Sequence, residues 1–310
     1  MAGGRAVRTP FGNYYGTNIT PDPLHGIGSW SDEDFIRAMT EGLSPDGKHY
    51  FPVFPYTSFT RMKKDDLLHL KDYLFSLPAV KMPNREHDVT FPFNWRGALD
   101  VWKKLFFNPG PFKADRDRSE SWNRGAYISE ALAHCGECHT PRSMMGALDS
   151  SMHFAGSLEG PEGELSPNIT QDRETGIGEW SRGDLTWLLK TGMKPGGDDV
   201  QGLMAEAIES GYRHLTDYDL EAIAEYLESV PPVRNDLESE KKETGMSSEK
   251  SIQSFFLTKK ALGPLQPAAR IFLFQTNATV FPPRRVTNSK VQSSAASRNS
   301  CSMTRSCRMR

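Results

Sequence analysis

With 310 residues, 37% of them hydrophobic, and a mean hydropathy of −0.55, the chain has the length for two ordinary domains and the apolar content to fold them. No apolar run reaches the roughly 20 residues of a membrane-spanning helix, the amino end MAGGRAVRTP holds no export-signal core, and four cysteines are too few for a disulfide-built fold. The formal charge of −2 hides −12 on residues 1–250 against ten Lys or Arg and no acid in residues 251–310, and an acidic body argues against nucleic acid as the partner.

In chain order, the first patterned stretch is NITPDPLHGIGSWS at residues 18–31. Ser31 with Asp34 reads as a helix N-cap backed by an acid three residues on, and the helix is expected to end at Gly42, where glycine suits a left-handed C-cap. A loop rich in Gly and Pro follows, then a helix from about Lys64 to Ser76 that stops before Pro78. The same order returns farther on. NITQDRETGIGEWS spans residues 168–181, Ser181 and Asp184 form the next cap, and Gly192 ends the helix. A last helix is expected from about Thr216 to Ser229, with Leu220, Ile223, Ala224 and Leu227 at helical spacing and Pro231 beyond it. Matches this dense and ordered mean two copies of one domain. No convincing alternating strands are visible, so the expected class is all-α, in small domains joined by long loops.

One motif carries chemistry. Residues 135–139 are Cys-Gly-Glu-Cys-His, the C-x-x-C-H signature of covalent haem attachment. Two thiols about one helical turn apart suit addition to the two vinyl groups on one porphyrin edge, and His139 is then directed at the iron as proximal ligand. The blander readings are weaker. A dithiol redox pair wants a βαβ setting, and a zinc site would need Cys301 and Cys307, whose spacing is wrong; both are read as incidental. For the distal ligand Met204 is favoured, in an expected loop between two helices, with Met193 and His214 as competitors. Met144 and Met145 lie too near the attachment site. His/Met ligation raises the potential relative to His/His.

Around these residues, Arg142 is a candidate partner for a haem propionate through its bidentate guanidinium. The Pro167 carbonyl is the candidate acceptor for the His139 ring N–H, and Trp180 and Tyr127 are candidates to pack on the porphyrin. Asn168, Gly176 and Gly178 read as turn residues shaping a loop. No Ser/His/Asp set, paired carboxylates or phosphate loop stands out. Substrate oxidation is therefore assigned to a partner subunit.

On WNRGAYISEALAHCGECHTPR (122–142), the NIT and GIG-x-WS stretches of both copies, YFPVFPYTSFTRM (50–62) and residues 202–227, the chain resembles the multihaem cytochrome c subunit of membrane-bound bacterial alcohol, gluconate and sorbitol dehydrogenases. The resemblance covers residues of about 5 to 235. It implies tandem class I-like cytochrome c domains, haem c on Cys135 and Cys138 with His139 and Met204 on the iron, and a flavin- or quinone-dependent dehydrogenase as electron donor. It also implies ubiquinone or a respiratory-chain acceptor, peripheral membrane association through the complex, and the periplasmic face of the cell membrane. Family members carry three haem domains, so two departures stand out. The first copy's C-x-x-C-H would fall upstream of Met1, and Phe54 takes the place of Met204, leaving Met62 as the nearest candidate there. No C-x-x-C-H follows residue 235 either. The expected organisation is a truncated first cytochrome c domain at 1–95, a linker at 96–120, a haem-binding domain at 121–235 and a disordered or degraded basic tail at 236–310. One haem is expected in this chain, with a further one lost at each end. Electron transfer is the expected function; its rivals are a non-functional remnant and a peroxidase-like enzyme.

Overall fold

The computed structural model describes residues 1–91, 93–237 and 239. Cys301, Cys307 and nearly all of the segment read as a basic tail lie outside the described residues. Within them the chain is mostly helical: α1 (Asp32–Glu41), α2 (Tyr56–Phe59), α3 (Lys64–Ser76), α4 (Ala98–Phe106), α5 (Glu120–Tyr127), α6 (Gly136–His139), α7 (Arg182–Thr191), α8 (Gly202–Ser210) and α9 (Asp217–Glu228).

The repeated sequence gives repeated local structure. Ser31 Oγ accepts from the Asp34 N–H at 3.1 Å while the Asp34 carboxylate accepts from the Ser31 N–H at 3.1 Å, and Ser181 with Asp184 repeats both bonds at 3.2 and 2.9 Å. Each box satisfies amide groups that a helix start leaves without partners. Both helices end on a left-handed glycine, Gly42 at φ 62° and Gly192 at φ 83°. The NIT stretches are buried clamps rather than simple turns. Asn18 Oδ1 takes the Thr20 N–H and hydroxyl at 3.0 and 2.7 Å, and its Nδ2 donates to the Val80 carbonyl at 2.8 Å. Asn168 does the same to Thr170, at 2.9 and 2.7 Å, and to Val233, at 2.8 Å. Each clamp ties the start of its repeat to the chain leaving the last helix.

The cores follow the same register. Ile27, Phe35, Met39, Leu67 and Leu74 pack in one cluster, and Ile177, Leu185, Leu189, Leu220 and Leu227 pack in the other. Burying such side chains contributes roughly 1.5–3 kcal/mol each before entropy is counted. In the second repeat α5 crosses α9 so closely that a Cβ on Gly125 would lie 1.8 Å from the Ala222 carbonyl oxygen. Only glycine fits there.

One expectation needs correction. The chain is not purely helical, because Ala6–Thr9, Gly12–Tyr15 and Asp88–Val89 form a three-stranded antiparallel sheet, β1-β2-β3. These strands are four, four and two residues long, too short for alternation to register. The segment read as a linker, 96–120, carries α4, whose Leu99 and Trp102 are buried while Val101 and Leu105 face outward. Trp102 packs with Tyr56 and Ala147 and donates its indole N–H to the Met145 carbonyl at 2.8 Å.

Candidate functional site

The C-x-x-C-H segment sits where α5 ends. That helix runs into a π-helical turn, Ile128–Leu132, of the kind that recurs at functional sites. The chain then reverses through His134, whose φ of 42° is left-handed, and enters the single turn of α6. Cys135 and Cys138 are both free thiols. Burial pushes the Cys135 thiol up to about 12, with the Glu130 and Cys138 charges adding to the rise, and burial with the Glu137 carboxylate also raises Cys138. Cys135 packs against the second core together with Ile169, Trp180, Met204 and Tyr212.

His139 is buried, and its Nδ1 lies 2.7 Å from the Pro167 carbonyl, the acceptor expected from the sequence. A carbonyl only accepts, so Nδ1 carries the proton and Nε2 keeps its lone pair. Burial holds the imidazole below its ordinary pKa despite that bond, which keeps the ring neutral. Among the described residues no hydrogen bond engages Nε2. A metal-binding histidine is normally fixed in this way through its other nitrogen.

The remaining candidates fall into two groups. Met204 lies on α8, not in a loop, because GLMAEAIES is a run of helix formers. It still packs against the same cluster as Cys135. Met193 is 42% exposed and Met144 is 93% exposed, while the His214 ring lies 3.1 Å from the Glu209 carbonyl on an exposed turn. None of these three packs in the cluster that holds Cys135 and Met204. Met62 is buried in the first core. Arg142 is engaged within the protein: Nη2 reaches the Glu137 carboxylate at 2.5 Å and Nη1 the Gly146 carbonyl at 2.9 Å. Trp180 packs in the second core, but Tyr127 belongs to the first, where its hydroxyl bonds Asp66 at 2.5 Å and accepts from the Lys63 N–H at 3.0 Å.

Several site residues carry no sequence signal. Glu130, in the π-helical turn, accepts from the Tyr226 hydroxyl at 2.5 Å and lies 2.9 Å from His153 Nε2. Burial opposes its charge, yet the bonds from His153 and Tyr226 outweigh it and hold the carboxyl below its ordinary value. Glu137 was legible only as a filler within the motif. Tertiary contacts alone reveal what these acids touch.

No protein-family model matches the chain. A dihaem c-type cytochrome of Cereibacter sphaeroides is 40% identical over 234 residues, which are 75% of this chain and 77% of that protein. The chain belongs to the family of dihaem c-type cytochromes. The fructose dehydrogenase cytochrome subunit of Gluconobacter japonicus is 41% identical over 74% of this chain and 47% of that protein. For the cytochrome c subunit of the quinone-dependent alcohol dehydrogenase of Gluconobacter oxydans the identity is 35%, over 75% and 50%. This cytochrome thus spans about half the length of those two relatives. The residues present fit haem c: two free thiols on one helical turn, a neutral imidazole held by Pro167 with Nε2 unengaged, and a thioether in the same apolar cluster.

Proposed function

We propose that this cytochrome carries one haem c on Cys135 and Cys138, with His139 as proximal and Met204 as distal ligand, and relays electrons from a partner dehydrogenase acting on CH–OH groups to quinone or the respiratory chain. The observation that carries the reading is the joint state of the motif: both thiols free, and the adjacent imidazole fixed on the Pro167 carbonyl. The bound group would supply a one-electron ferric/ferrous couple. The protein's own part is to hold the thiols, orient His139, present the Met204 sulfur and keep the surroundings dry, the levers that set such a potential.

The organisation that suits this role is a first cytochrome c-like unit over residues 1–95 and a haem-binding unit over 121–235, joined through the α4 segment. The relatives' names support a dehydrogenase donor, and a flavin- or quinone-dependent one is the finer reading. Location at the periplasmic face fits haem c chemistry. Tested on chain matured with a haem-attachment system, the reading expects a six-coordinate reduced spectrum and rapid reoxidation by a ubiquinone analogue. A high-spin, peroxide-reactive spectrum would contradict it.

A further inference from the structure

Glu137 fills one of the two unspecified positions between the thiols, and haem attachment makes no demand for an acid there. Yet its side chain is only 7% exposed and each oxygen is occupied. Oε1 accepts from the Thr57 hydroxyl at 2.7 Å and from the Ser58 hydroxyl at 2.7 Å. Oε2 accepts from Arg142 Nη2, which also lies 3.3 Å from the Glu137 backbone carbonyl. Thr57 and Ser58 belong to α2 of the first repeat, and Phe59 of the same helix meets the His134 ring edge-on at 5.3 Å. A buried carboxylate is tolerated only when paired and hydrogen-bonded. Here the donors come from both repeats and converge on the attachment turn.

We infer that Glu137 is a positioning residue that sets the reduction potential of the second repeat, and that the first repeat takes part through the Thr57 and Ser58 hydroxyls. The inference rests on the haem reading above. A fixed negative charge beside the attachment turn favours the ferric state, which carries one more positive charge than the ferrous. The two hydroxyl dipoles and the Arg142 guanidinium partly offset that field. Opposite signs follow. Replacing the carboxylate by an amide raises the potential; removing the hydroxyls while leaving the carboxylate lowers it. Disruption that lets water reach the site would instead move both variants the same way.

The experiment is a spectroscopic redox titration of the full chain matured with haem, comparing wild type, E137Q and the double variant T57V/S58A. E137Q is expected to shift the one-electron equilibrium about tenfold toward the ferrous form, an upward move of ~59 mV, and T57V/S58A about threefold the other way. A haem-bearing wild type with E137Q unmoved, or with both variants displaced downward, overturns this inference and leaves the haem reading standing. A wild type without haem overturns both. Should E137Q fail to accumulate, the sign of T57V/S58A decides: a fall supports the role of Glu137, and a rise or no change overturns it.

Discussion

The two repeats share caps, clamps and core register but differ in what their last helices lean on. In the second repeat α9 rests on α5, with Gly125 against the Ala222 carbonyl and Arg124 bonded to Asp219 at 2.7 and 3.2 Å. In the first, α3 meets the other side of the same stretch, where Tyr127 and Ala131 join its core and the Tyr127 hydroxyl bonds Asp66. Asp66 and Asp219 are equivalent positions in the two repeats. One helix thus serves two acids, through a guanidinium on one side and a phenol on the other. The lesson is that the repeated sequence builds the frame, whereas the segment that places the thiols lies between the frames and is braced by both.

Substitutions break this comparison in order of size. Met204→Ala is expected to leave haem attached but convert a low-spin spectrum to an open, higher-spin one with a lower potential, while Met62→Ala leaves the spectrum as it is; the optical spectra of the two variants check the asymmetry. Gly125→Val forces a side chain into the α5–α9 crossing and is expected to cost about 3 kcal/mol or more of stability by urea unfolding. Asp219→Asn should cost about 1–2 kcal/mol at neutral pH, discounted for the part-exposed Arg124. The Arg124 bond holds the Asp219 carboxyl below its ordinary value. Its contribution is therefore complete above the carboxylate range and fades as pH falls through it, so the gap between variant and wild type should close on acidification. Smallest are the caps: Ser181→Ala and Ser31→Ala should each cost about 1 kcal/mol, and near-equal losses would show that the frames are energetically alike.

Much of the frame was legible in the sequence because it rests on local rules. The capping boxes, the glycine stops and the limits of α3 and α9 follow from side-chain hydrogen bonds and backbone freedom within a few residues. The thiol–imidazole motif is legible for the same reason, whereas Pro167, 28 positions from His139, follows from the need of a metal-binding imidazole for an acceptor on its other nitrogen. The hairpin at the amino end was not, since Tyr14 and Tyr15 are neighbours in sequence yet both buried, which defeats the two-residue period. Met204 was expected in a loop because Gly and Pro residues precede it, but α8 begins just ahead of it. The Asp66 bond of Tyr127 and the Thr57 bond of Glu137 are not legible, because these partners lie some 60 and 80 positions away. No local pattern records such contacts.

The central claim is a single haem fixed by two neighbouring thiols. The most direct test is haem stoichiometry after denaturing electrophoresis and alkaline pyridine spectroscopy, on matured wild type and on C135A/C138A. One covalent haem per wild-type chain and none in the variant is the predicted result; a wild type free of covalent haem, or a variant that retains it, contradicts the account.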